Sequence, residues 1–216
     1  MGSVHLLPQR GRAHLPHPPW RPRSGHIAGE LDAIAAQHDR LYAIFWGEAE
    51  QDPNRFVERW LDANTFKAVD EWVGDVRFVV YAVPSTPATD MNTPLNLRFG
   101  DSITLLGYTL AETNLAPGDI VQITLFWQTD TPLETRYKVF LHLVDANGQL
   151  VNQRDSEPGG GLALTTTWTS GETVLDNHGV LIPANAPRQI HATVGAVRPD
   201  RPQQPPAHTN SRGNER

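Results

Sequence analysis

Apolar side chains recur along this chain in two rhythms. In "IAGELDAIAAQH", Ile27, Leu31, Ile34 and Ala35 lie three or four residues apart, the spacing that gathers side chains on one helical face. "LYAIFWG" then reads as a short buried strand. "DPNRFVERWLDANTFKAVDEWVG" reads as one long helix, with Asp52 as N-cap, Pro53 at the first helical position and Gly74 as the stop. Phe56, Trp60 and Trp72 on that helix would pack it against a sheet. "VRFVVYAV" supplies a second strand, and the order strand, helix, strand predicts parallel pairing.

The rhythm changes after "PSTPATDMNTPLN", a linker by its Pro, Thr and Asn content. In "DIVQITLFWQT", Val121, Ile123, Leu125 and Trp127 alternate with Gln122, Thr124 and Gln128, and "YKVFLHLVD" repeats the pattern through Tyr137, Val139, Leu141 and Leu143. "ITLLGYTL", "ETVLDNHGVLIP" and "RQIHATVGAV" are further strand candidates, parted by turns such as Ala116-Pro117-Gly118 and "EPGGG". Short strands with regular turn signals and no helical period predict an antiparallel β-sandwich, immunoglobulin-like or carbohydrate-binding-module-like. The expected class is therefore α+β: an arm at 1–26, a small α/β unit at 27–84, a linker at 85–97, the sandwich at 98–197 and a tail at 198–216. Both ends, rich in Pro and Arg, are expected to be disordered.

Composition narrows the function classes. Of the 216 residues, 39% are hydrophobic and 19% charged, which suits a globular body, and no apolar run is long enough to cross a bilayer. The N-terminus lacks the continuous apolar stretch of a secretory signal. The net charge of −6 is unevenly spread: 1–26 hold four Arg and no acid, whereas 27–197 hold 10 basic and 22 acidic residues. An acidic body repels phosphate backbones, which argues against a nucleic-acid partner. The absence of cysteine removes thiolate catalysis, disulfides and cysteine-ligated zinc.

The stretch "ELDAIAAQHDRLYAIFWGEAEQDPNRFVERWLDANTFKAVDEWVGDVRFVVYAVP" resembles the soluble segment after the last membrane helix of bacterial membrane glycosyltransferases of the polyprenyl-phosphate-sugar, mannosyltransferase-like type. "LLGYTL", "PGDIVQITLFWQT", "YKVFLHLVDANGQLVNQRDSEP" and "TTWTSGETVLDNHGVLIP" resemble the β-sandwich appended to such proteins. The resemblance covers roughly residues 27–197. It implies an extracytoplasmic location and a glycan or membrane-glycosyltransferase partner. The family's catalytic carboxylate and membrane helices have no counterpart here, so the resemblance implies an accessory role with no catalytic residue and no cofactor.

Two stretches carry enough polar groups to test that expectation. At "FWGEAEQDP", Trp46, Glu48 and Glu50 follow the end of a strand, where α/β units place ligands; paired carboxylates beside an indole could bind or hydrolyse a sugar. In "YKVFLHLVDANGQLVNQRDSEP", His142, Asp145, Asp155 and Glu157 could be a base with its orienters, yet no nucleophile stands at a defined spacing. Alternation predicts instead the polar face of a hairpin turning at Asn147-Gly148. Asp145 with Asn147 is too small a ligand set for calcium, and the histidines of the Pro-rich arm lack the scaffold of a metal site. Trp168, in a polar stretch before a strand, is expected to be a surface aromatic able to stack on a sugar. A free-standing carbohydrate-binding sandwich and a small hydrolase using Glu48 and Glu50 are the alternatives to an accessory module.

Overall fold

The structure, a computed structural model, describes residues 5–8, 24–86 and 88–197. Helix α1 (Ser24–Ala35) turns Ile27, Leu31 and Ile34 inward, as their spacing predicts. Strand β2 (Arg40–Phe45) follows, its alternate residues Leu41, Ala43 and Phe45 fully covered. Within the expected arm, β1 (His5–Pro8) pairs antiparallel with β2 and α1 takes in Ser24 to His26; the rest of the arm and the expected tail lie outside the described residues.

The long helix predicted after β2 is divided. A single turn, α2 (Glu48–Gln51), comes first, and Asp52 then accepts the Val57 amide at 3.0 Å, so it caps a helix that begins later than expected. That helix, α3 (Phe56–Asn64), ends where Thr65 turns extended and donates its hydroxyl to Leu61 O. The remainder is strand β3 (Phe66–Val73), which returns through Gly74 and Asp75 into β4 (Val76–Ala82). Val73 faces Val76 across a two-residue turn whose Gly74 has φ +63°, a conformation that favours glycine. Gly74 therefore closes a hairpin and stops no helix.

This strand also overturns the expected parallel pairing. Because the chain reaches β4 by a hairpin from β3, β4 runs antiparallel to β2, and the sheet order is β1-β2-β4-β3. One face carries α1 and α3 on Leu41, Ala43, Phe45, Val79 and Tyr81. On the other, Phe66, Val80 and Ala82 meet Ile120 from the C-terminal region.

That region is built from antiparallel strands: β5 (Thr93–Phe99), β6 (Ile103–Leu110), β7 (Ile120–Thr129), β8 (Lys138–Asp145), β9 (Leu150–Ser156), β10 (Val174–Leu181) and β11 (Ile190–Val197). They form two sheets, ordered β10-β7-β6-β5 and β11-β8-β9. Val121, Ile123, Leu125 and Trp127 from one sheet share an apolar cluster with Val139, Leu141 and Leu143 from the other, on the faces that alternation assigns. The expected linker already enters β5 at Thr93. Before that it lies against β6, where the Thr109 hydroxyl donates to Asp90 O and accepts the Asn92 amide.

The two regions meet closely. A Cβ at Gly179 of β10 would stand 2.8 Å from Phe66 O and 2.9 Å from Lys67 O of β3, so only glycine permits this crossing. Arg40 adds a hydrogen bond to Gly118 O at 2.9 Å.

Candidate functional site

The residues nominated by the sequence do not assemble into one site. Trp46 is half-buried at the end of β2. Glu48 turns back to Arg77 at 3.4 Å, whereas Glu50 points to solvent; two positions apart on a helical turn, they do not face each other. Trp168 corrects its expectation outright. It is 7% exposed within the apolar cluster and donates its indole N–H to Ala163 O, so it is a core residue and not the surface aromatic expected.

The histidine and carboxylates of the β8–β9 hairpin do not converge as one group either; of those carboxylates, His142 meets Asp155 alone. Asp145 Oδ1 accepts the amides of Asn147 and Gln149 inside the turn, which holds its carboxyl below the ordinary range. His142 pairs with Asp155 at 3.2 Å on the outer face, and Glu157 is bridged to Arg136. Among the described residues, no group of three or more His, Asp or Glu is placed to hold a metal ion.

The chemistry that does converge was missed by sequence reasoning and lies between α3 and the β3–β4 hairpin. Glu58, 1% exposed, takes Lys67 Nζ on one oxygen at 2.9 Å and Arg77 on the other at 2.7 Å, with Arg55 sharing the second at 2.6 Å. Burial alone would raise this carboxyl. The Arg77 hydrogen bond, the Lys67 charge and the bonds from Lys67 and Arg55 outweigh it and bring the pKa to about 2. Lys67 also holds Asp62 at 2.8 Å, but burial prevails there and Asp62 is shifted upward. The Tyr81 phenol, buried beside these carboxylates, is pushed well up by desolvation and then by their charge. Loop 158–161 closes over the group, with Gly160 against Asp62 and Lys67.

A second buried pair stands on β10. Asp176 Oδ2 takes the His178 ring at 2.7 Å and the Trp127 indole N–H at 3.3 Å, while Oδ1 accepts the Gly159 amide at 2.9 Å. Burial would raise Asp176, but His178 and these donors hold it low. The signal was legible in parity: Asp176 and His178 occupy the same alternate positions as the buried Val180, so a polar pair falls on an inward face.

Chemically, these arrangements hold charge in place. A glutamate ionised down to about pH 2 is a poor acid or base at neutral pH, and Asp176 and His178 are buried, at 0% and 1% exposure. A groove of about 490 Å³ runs along the junction past Asp62, Asn64, Leu162, Leu175 and Asn177 without reaching Glu58 or His178. No known family, characterised protein or solved structure matches this chain.

Proposed function

We propose that this chain is a non-catalytic accessory module, akin to the extracytoplasmic C-terminal region of a bacterial membrane glycosyltransferase. On this reading the two β-sheets of its C-terminal region form a sandwich of the immunoglobulin or carbohydrate-binding kind. The module presents a surface to a glycan acceptor or a neighbouring protein while a separate membrane part performs the transfer. The observation that supports it is the fate of the carboxylates: Glu48 and Glu58 are engaged by arginine, Asp62, which borders the groove, by lysine, and Asp176 by histidine, leaving no unengaged acid–base pair in an open cleft among the described residues. The test is incubation of the purified chain with activated glycosides and polyprenyl-phosphate sugars. No turnover is expected; turnover lost in Glu48→Gln would replace this reading with the hydrolase.

A free-standing carbohydrate-binding sandwich is the second reading, favoured by the outer face of the β11-β8-β9 sheet. There Phe140 lies against Gly195, where a Cβ would stand 2.3 Å from the ring, and His142 lies 4.8 Å beyond it. Specific glycan binding that disappears in Phe140→Ala would select it.

A further inference from the structure

The two sheets of the C-terminal region differ in width, and the difference leaves one edge of the apolar layer open. Asn152 of β9 donates to Leu181 O of β10 at 2.7 Å, so the sheets close on each other at that side. Counted from there, the strand orders set β8 over β7 and β11 over β6, and β5 stands with no strand opposite. Exposure agrees. Leu97 of β5 pairs with the buried Leu105 and faces the same way, toward the apolar layer, yet it is 47% exposed. On β11, Ala192 and Val194 pair with the buried Leu143 and Leu141 and share their face, yet Ala192 is exposed and Val194 only half-buried.

The outer edge of β11 is also unguarded. Natural sheets blunt their edges with charge, proline or a bulge. The edge strand β5 has Pro94, a register shift between Pro94 and Leu97 with Asn96 at φ +57°, and Arg98 paired with Asp130. β11 has none of these: its eight residues keep unbroken register with β8 and include no Lys, Arg, Asp, Glu or Pro. Among the described residues no strand pairs with its other side. Unpaired amides and carbonyls along such an edge accept a main chain. One strand about 4.8 Å farther out would lie beneath Leu97, and the overhang of β5 covers the width of one strand. A second copy joined edge to edge through β11 does not fit, because its β6 would fall where β5 stands. The residues after β11 include Pro199, Pro202, Pro205 and Pro206, which can donate nothing to a ladder. We infer that β11 receives an extended segment of a partner polypeptide as a fourth strand, its main chain bonded to the free edge and its alternate apolar side chains packed beneath Leu97 beside Val194. The inference deepens the accessory-module reading, on which it rests for the existence of a partner, by naming the surface and the partner's chemistry.

The test uses the full chain and two fluorescein-labelled peptides, one alternating threonine with valine over eight residues and the other carrying proline at two central positions, followed by anisotropy. The first should bind about tenfold more tightly or better, with little dependence on salt because β11 carries no charge. It should also slow hydrogen exchange at the β11 amides that point away from β8. Leu97→Asp and Ala192→Lys alter exposed side chains, so the fold tolerates them, and each should weaken binding roughly fivefold or more. Equal binding of the two peptides, or an unaltered affinity in both variants, overturns the proposal. So does slow exchange of the outward β11 amides in the chain alone, which would show the edge already covered by the chain itself or by a second copy. Each of these failures leaves the accessory-module reading standing, whereas glycoside turnover by the same preparation would remove that reading.

Discussion

The helix-bearing region and the C-terminal β-region bury their polar groups in different ways. In the first, Lys67 and Arg77 from a hairpin reach Glu58 and Asp62 on α3, so a buried ionic cluster stands beside the apolar contact between helices and sheet. In the second, the shared cluster is apolar from Ile103 to Ile182, and Asp176 with His178 is its charged exception. Buried ion pairs add little net stability when intact, yet removing one partner is severe because the other charge is left dry. An apolar core loses stability in proportion to the volume removed. The first region should therefore fail abruptly at single polar positions, and the second gradually at apolar ones.

The largest effect should come from Glu58→Ala, which strands Lys67 and Arg77. A loss of about 3–5 kcal/mol is expected from urea unfolding, and the loss should shrink when Lys67→Met is added. A loss under about 1 kcal/mol would erase the contrast between the regions. Acid should produce the next largest. Glu58 lies at about 2 when folded against roughly 4.3 when unfolded, so its contribution is complete above about pH 4.3 and is lost as pH falls toward 2. That amounts to about 3 kcal/mol. Asp62, shifted upward, opposes part of this loss, because protonation favours its folded form. Glu58→Gln should flatten the decline in urea midpoint between pH 5 and pH 2.5.

Gly179→Ala tests whether the regions are joined. The added Cβ would meet two carbonyl oxygens of β3, costing about 1–3 kcal/mol, and calorimetry should record one lowered transition. Two separated transitions would show that the regions melt independently. The smallest effect is expected for Glu48→Gln, within about 0.5 kcal/mol by thermal denaturation, because its partner Arg77 keeps the closer Glu58 bond.

How far these features could be read in advance follows the same division. Strands β7 and β8 were legible because one face of each is apolar throughout, so period two has a single interpretation. Strand β3 was not: Phe66, Val69 and Val73 fall at helical spacing and continue the rhythm of α3, and hairpin pairing with β4 overrides that local preference. The missed strand carried the wrong parallel pairing with it, and Trp72 moved from an expected helix face to an exposed tip. Trp168 escaped because its 3-10 turn and loop have no period from which burial can be inferred. The Glu58 network escaped for a simpler reason. Its members are separated along the chain, and a charged residue on a helix reads as solvated until its partners are placed beside it.

The claim on which the functional reading rests is that the converging charges hold the fold together and perform no chemistry. Carbon-detected NMR titration of the Glu58 side-chain carboxyl tests it most directly. A midpoint near 2, with the group ionised throughout the neutral range, is the expected result. A midpoint raised above the ordinary glutamate value would mark a proton donor poised for catalysis and contradict the account.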